Sequence, residues 1–182
     1  AFRQRFSRDI IAALRRLQEQ NHVEILTSAA THGYLPLLSR DSSIHGQLAV
    51  GADATRRHFG QASRGAWLPE CAYRPPYLAE GEGGHYLKPG LEEFLAELGL
   101  TCFFAETHTL EGGFPVGKAR GEAIGPYGDI PRRYLVPLTG YTEPTEKTTF
   151  QPYWVQSPRV AVLGRNNATG MQVWSADWGY PG

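Results

Sequence analysis

Glu70 stands in the run "GAWLPECAYRP" (65–75), directly after Pro69, with Trp67 and Tyr73 on either side. A carboxylate in apolar company is costly unless it is hydrogen-bonded, paired or put to use. After a proline it is expected in extended or turn geometry, where nearby aromatic rings would keep bulk water away. A carboxylate so placed can attack the anomeric carbon of a sugar, a role that glycosidases give to Asp or Glu. It can equally cap a loop or pair with Arg74, and the residues alone leave both readings open. His32 in "ATHGYLP" and His108 in "ETH" carry a similar ambiguity. Each is either a hydrogen-bonded loop residue or a donor to a sugar hydroxyl. Glu106, beside His108, either holds a backbone amide or serves as a second carboxylate.

Trp174 and Trp178 lie four apart, with Tyr180 close behind. Sugar rings present flat apolar faces on which indoles stack, whereas ordinary core packing is the alternative use of so much apolar area. Two tryptophans beside glycines in a polar segment favour a binding rim. Six histidines and two cysteines invite a search for a metal site. No His pair has the spacing of a zinc helix and no Cys-x-x-Cys occurs, so neither metal nor cofactor is expected. The glycine clusters lack the lysine and the strand–loop–helix setting of a phosphate cradle.

These residues need a scaffold. Apolar residues at Phe2, Phe6, Ile10, Ala13, Leu14 and Leu17 predict one amphipathic helix to about Gln20, with Arg3, Arg5, Arg8, Arg15 and Arg16 on its wet side. "VEILTSA" (23–29) reads as a buried strand, and "THGYLPLL" (31–38) as the loop at its carboxyl end. A second helix falls within 47–59, followed by a strand or strand end at 66–73. "PGLEEFLAELGL" (89–100) predicts a third helix, stopped by Gly99, and "TCFFAET" (101–107) a third strand. Helix and strand alternate as in a parallel α/β sheet, where ligands bind at the carboxyl ends of strands. Thr31-His32, Glu70-Cys71 and Glu106-Thr107-His108 all fall at such ends. The 111–158 stretch is rich in Gly and Pro and reads as an insertion with short strands or a lid. "RVAVLGRN" (159–166) resumes a strand.

Eighteen basic residues balance eighteen acidic ones, so no nucleic-acid partner is expected. No run of about 18 apolar residues is present, so no membrane partner is expected either. Two cysteines, Cys71 and Cys102, make no disulfide framework and fit a reducing, cytoplasmic setting. The opening segment reads as a charged helix rather than a secretory leader. The chain starts on Ala and ends on "WGYPG", which suggests a piece of a longer protein.

At these residues the sequence resembles glycoside hydrolase family 57, most closely its 1,4-α-glucan branching enzymes. "VEILTSAATHGYLPLL" is similar to that family's second conserved region, "GAWLPECAY" to its third, and "QVWSADWGYPG" to a tryptophan motif of the branching group. "TSAATHGYLPLL" looks more like the branching group than the amylopullulanases or 4-α-glucanotransferases.

The resemblance implies a fragment of an irregular (β/α)7 barrel. Residues 1–182 would be an incomplete catalytic domain whose N-terminal and C-terminal parts are missing. It implies that Glu70 is the catalytic nucleophile and that His32 lines the −1 sugar site. Trp174 and Trp178 would lie beside the acceptor path, and Trp67 and His108 are the further substrate-binding candidates. The general acid/base aspartate and the first histidine motif of the family have no match here. Glu106 and Asp177 remain as in-chain candidates for a second carboxylate; Asp177 stands where related enzymes are expected to carry Glu. The implied substrate is an α-1,4-glucan such as amylose or glycogen, the implied product an α-1,6 branch. Alternatives on the same barrel are an α-glucan hydrolase or a 4-α-glucanotransferase. A zinc-dependent carbohydrate deacetylase would need an aspartate and paired histidines that are not found. A non-catalytic glucan-binding fragment is the reading from another class, and the isolated chain is expected to be inactive.

Overall fold

The computed structural model describes residues 2–81, 83–112, 124–125, 128–129, 143–155 and 159–174. The first elements are α1 (Phe2–Phe6), α2 (Ile10–Glu19), β1 (Thr27–Ser28), α3 (Asp41–Phe59) and β2 (Gly65–Trp67). A hairpin of β3 (Tyr77–Gly81) and β4 (Gly84–Lys88) follows, then α4 (Leu91–Glu97), β5 (Cys102–Ala105) and α5 (Thr107–Glu111). The two-residue strands β6 (Ile124–Gly125) and β7 (Gly128–Asp129) pair with each other, before β8 (Tyr153–Trp154), β9 (Ala161–Gly164) and α6 (Asn167–Trp174).

The central sheet has the order β1-β2-β5-β9-β8. Its first four strands are parallel and lie side by side in chain order, and β8 closes it antiparallel to β9. Parallel neighbours need crossover connections; α3 lies in that from β1 to β2 and α4 in that from β2 to β5. This is the expected α/β class and the expected fragment of an irregular (β/α)7 barrel. The core between sheet and helices holds Leu35, Ile44, Leu48, Leu68, Leu91, Leu95, Leu100, Phe103 and Val160, all at or below 1% exposure. Fully burying side chains of this kind stabilises by roughly 1.5–3 kcal/mol each.

The structure corrects the sequence reading at several places. The opening helix is two helices. Ser7 and Arg8 take left-handed backbone (φ 50° and 66°), and Asp9 caps the second helix by accepting from the Ala12 amide at 2.9 Å. Arg15 does not merely face water. Its guanidinium donates to the His58 carbonyl in the last turn of α3, an acceptor that the helix leaves unpaired. The first strand covers only 27–28 of 23–29. The second helix begins at Asp41 rather than within 47–59 and ends at left-handed Gly60.

The β3–β4 hairpin was not foreseen, because "AEGEGG" reads as a loop and neither face of the ladder is buried enough to show alternation. Its base is tacked down by Lys88, which donates to Asp41 Oδ1 at 2.8 Å and to the Ser39 carbonyl at 3.0 Å. Of the 111–158 insertion, 113–123, 126–127, 130–142 and 156–158 lie outside the described residues. No helix among the described residues is long and apolar enough to cross a membrane.

Candidate functional site

The end of β1 is fixed by its crossover helix. A Cβ added to Gly51 of α3 would lie 1.8 Å from the Ser28 carbonyl oxygen, so only glycine permits this approach. One turn earlier in the helix, Gln47 takes hold of the loop. Its carbonyl accepts from the Ala30 amide (2.9 Å), its Oε1 accepts from the Thr31 amide (2.9 Å), and its Nε2 donates to Thr31 Oγ1 (2.8 Å). His32 follows in left-handed backbone (φ 55°), its amide donating to the Ala29 carbonyl. Buried Leu35 then anchors the far side of the loop.

At the end of β2, Leu68 and Pro69 are buried, and the chain makes one tight turn over Pro69–Cys71. Glu70 (φ 58°, ψ 20°) and Cys71 (φ 52°) are both left-handed. Such a conformation costs a non-glycine residue about 1–3 kcal/mol and persists only where the surroundings over-determine it. Here the Cys71 amide donates to the Leu68 carbonyl (2.8 Å), the Ala72 amide to the Pro69 carbonyl (3.1 Å), and the Glu106 amide to the Cys71 carbonyl (3.2 Å). The turn sends the Cys71 side chain into the interior, at 0% exposure, and the Glu70 side chain outward, at 71%, so the flanking aromatic rings do not keep water from it as expected. There Glu70 Oε1 lies 3.5 Å from His32 Nε2. The structure thus brings Glu70 and His32 together at the carboxyl ends of adjacent parallel strands.

The next two strand ends contribute a second pair. Glu106, after β5, receives Arg165 Nη1 on its Oε1 at 2.7 Å, and Arg165 follows β9. Acting as a proton donor would require Glu106 to break this partly buried pair, which makes it a poor second carboxylate. Burial first, and then the neighbouring Glu106 charge, push the Cys71 thiol up to about 11.

Trp67 ends β2 with its ring 5.6 Å from that of Phe104 on β5, half-buried beside the site. His108 is exposed on the first turn of α5. Arg74, the structural alternative for Glu70, has its guanidinium over the Tyr77 ring at 4.8 Å, with Nε and Nη1 making no hydrogen bond. Trp174 is the last residue of α6, while Asp177 and Trp178 lie outside the described residues. No group of three or more His, Cys, Asp or Glu suited to a metal is found among the described residues.

Sequence reasoning missed Gln47, Gly51 and Arg165. Arg165 was within reach, since "VLGRN" ends a strand as "AWLPE" does and the strand-end rule applies to both. Gln47 and Gly51 carried no signal, because their partners at the end of β1 are groups that only the folded chain brings near.

The family model for glycosyl hydrolase family 57 matches residues 1–182. The chain is 47% identical over 175 residues to the 1,4-alpha-glucan branching enzyme of Thermococcus kodakarensis, covering 96% of this chain and 23% of that protein. The crystal structure of that branching enzyme superposes with a TM-score of 0.73 at 44% identity, over 100% of this chain and 30% of the other. The branching enzyme of Pyrococcus horikoshii gives a TM-score of 0.69 at 36% identity, covering 99% and 28%. The alpha-amylase AmyC of Thermotoga maritima gives 0.63 at 25% identity, covering 99% and 26%. The chain therefore spans about a quarter of the length of the relatives it matches. A strand-end carboxylate and imidazole on a sequential parallel sheet accompany a family match from the first residue to the last, and the chain belongs to glycosyl hydrolase family 57.

Proposed function

We propose that the full-length protein carrying these residues is a 1,4-α-glucan branching enzyme. Residues 1–182 form part of its catalytic barrel, with 111–158 as an insertion or lid. The observation that carries the reading is the 3.5 Å contact between Glu70 and His32, on a chain nearly half identical to a branching enzyme. Glu70 is exposed to an incoming ligand yet locked in its backbone, which is the preorganisation a nucleophile needs.

In the proposed reaction Glu70 attacks the anomeric carbon of an α-1,4-linked glucan. The C1–O4 bond breaks, a proton from the general acid goes to the leaving oxygen, and a covalent glycosyl-enzyme remains. The 6-hydroxyl of another glucan chain then attacks C1, gives up its proton to the same group acting as base, and releases Glu70. His32 orients the sugar at the nucleophile, and Trp67, His108, Trp174 and Trp178 contact the glucan. The acid/base is an aspartate of the full-length protein, since a retaining enzyme needs its second carboxyl about 5–5.5 Å from the first and Glu106 is held by Arg165. Excluding water from the intermediate separates transfer from hydrolysis, a task for the insertion and the tryptophans. The setting is cytoplasmic synthesis of a glycogen-type glucan.

Similarity to an alpha-amylase supports a second reading, hydrolysis on the same barrel. Amylose treated with the full-length protein separates the two. Branching yields new α-1,6 linkages with few new reducing ends, and both products vanish in Glu70→Gln. Reducing ends without branch points would establish the hydrolase instead.

A further inference from the structure

We infer that Arg165 is a positioning residue for the nucleophile turn, acting through Glu106 and Cys71 without touching the sugar. This rests on the reading of Glu70 given above.

The two consecutive left-handed residues at 70 and 71 cannot hold themselves. The hydrogen bonds within the turn reach back only to Leu68 and Pro69. The backbone tie that the Cys71 carbonyl receives from the next strand end is the Glu106 amide, and Arg165 also acts on the Cys71 thiol directly. That amide is useful only if residue 106 is fixed, and Arg165 fixes it from two sides. Its guanidinium grips the Glu106 carboxylate at 2.7 Å, and its own amide donates to the Ala105 carbonyl at 2.8 Å. Thr107 Oγ1 closes the loop by donating to the Arg165 carbonyl at 2.5 Å. The guanidinium is confined on its other side by α6, where a Cβ on Gly170 would come within 3.1 Å of Nε. The arginine side chain is 28% exposed and the glutamate 33%, so the pair is sheltered from water and strongly directional. Residue 165 after β9 therefore sets residue 106 after β5, which sets residue 71 after β2. Each step crosses to the neighbouring strand of the sheet. A merely structural ion pair would hold β5 to β9, and the backbone link onward to Cys71 is what extends its reach to the nucleophile.

The test uses the full-length protein. Arg165→Ala lowers kcat on amylose by about 10- to 100-fold, the scale of a displaced catalytic group, and leaves KM within about twofold. Added guanidinium ion restores part of that kcat. Arg165→Ala combined with Glu106→Ala is no slower than Arg165→Ala alone, because both belong to one unit. Should Arg165→Ala fail to fold, Arg165→Lys serves, with a smaller loss of kcat. An unchanged kcat, or a raised KM with kcat intact, would overturn the inference, the latter by making Arg165 a sugar contact. Maleimide labelling of Cys71, followed by peptide mass spectrometry, needs no glucan activity. Arg165 also favours the Cys71 thiolate, so the rate is compared in Arg165→Lys, which keeps the positive charge; loosening the turn there speeds this labelling several-fold. If the wild-type protein proves inactive on glucans, the functional reading fails, and the labelling alone decides: an unchanged rate overturns the positioning role.

Discussion

His32 and Glu70 share more than their 3.5 Å contact: both are non-glycine residues held in left-handed backbone, each just past the end of a parallel strand (φ 55° and 58°). Two strained residues facing each other across adjacent strand ends require support from behind. Gln47 supplies it for one and the Cys71–Glu106 link for the other. His32→Ala removes the donor proposed to orient the sugar and leaves this support intact. We expect kcat/KM of the full-length protein on amylose to fall by about 10²-fold, as on loss of one well-placed donor, with Tm nearly unchanged. Steady-state kinetics and thermal unfolding check this; wild-type kinetics would remove His32 from the site.

The contact between α3 and β1 makes a prediction with its own control. Gly51→Ala places a methyl 1.8 Å from the Ser28 carbonyl, so the helix must move and carry Gln47 with it. Destabilisation of about 1–3 kcal/mol or more is expected, with a loss of activity through the displaced His32 loop. Gly46→Ala, in the same helix with nothing within 4 Å of its added Cβ, should instead stabilise by roughly 0.5–1 kcal/mol. Equal effects from the two substitutions in chemical denaturation would contradict this packing.

Tyr73 and Glu92 make the third case. Glu92 is fully buried, and its carboxylate receives the Tyr73 hydroxyl on Oε2 at 2.9 Å while Oε1 has no partner. Tyr73→Phe preserves the stacking on Phe103 but strips the carboxylate of that bond. A loss of about 1–3 kcal/mol follows from leaving a buried acceptor unmet. Thermal unfolding of Tyr73→Phe measures it, and an unchanged Tm would show that Glu92 is satisfied another way.

The thiol of Cys71 titrates near 11 rather than at its ordinary 9.0, through burial first and the Glu106 charge second. Between those values the native state keeps a proton that the unfolded chain gives up. Stability tied to this thiol is therefore complete below about pH 9 and is lost as pH rises toward 11. Cys71→Ala lacks the slope. The wild-type advantage in Tm over Cys71→Ala should narrow steadily across that window, whereas a constant difference would contradict the burial argument.

Much of the fold was legible because burial writes itself into composition. "TCFFAET" and "RVAVLGRN" are short apolar runs between breakers, and α4 carries its acids and Gly99 where helix ends require them. The pairing of His32 with Glu70 followed from a general rule, that parallel strands gather their carboxyl ends on one face. The break at Ser7-Arg8 and the β3–β4 hairpin depend on positive φ or cross-strand partners, neither of which leaves a periodic trace. The early start of α3 was within reach, since buried Ile44 and Leu48 keep helical spacing and Asp41 puts an acid in the first turn. Arg165 looked like the polar end of a strand until Glu106 stood 2.7 Å away.

The central claim is that Glu70 forms a covalent bond to the sugar. The direct measurement is to incubate the full-length protein with a 5-fluoro-α-glucosyl fluoride, whose fluorine slows breakdown of the glycosyl-enzyme, and to locate the added mass by peptide mass spectrometry. The account predicts a single fluoroglucosyl adduct on the peptide spanning "GAWLPECAYR", at Glu70, absent from Glu70→Gln. An adduct on any other carboxylate, or inactivation undiminished in Glu70→Gln, would contradict it.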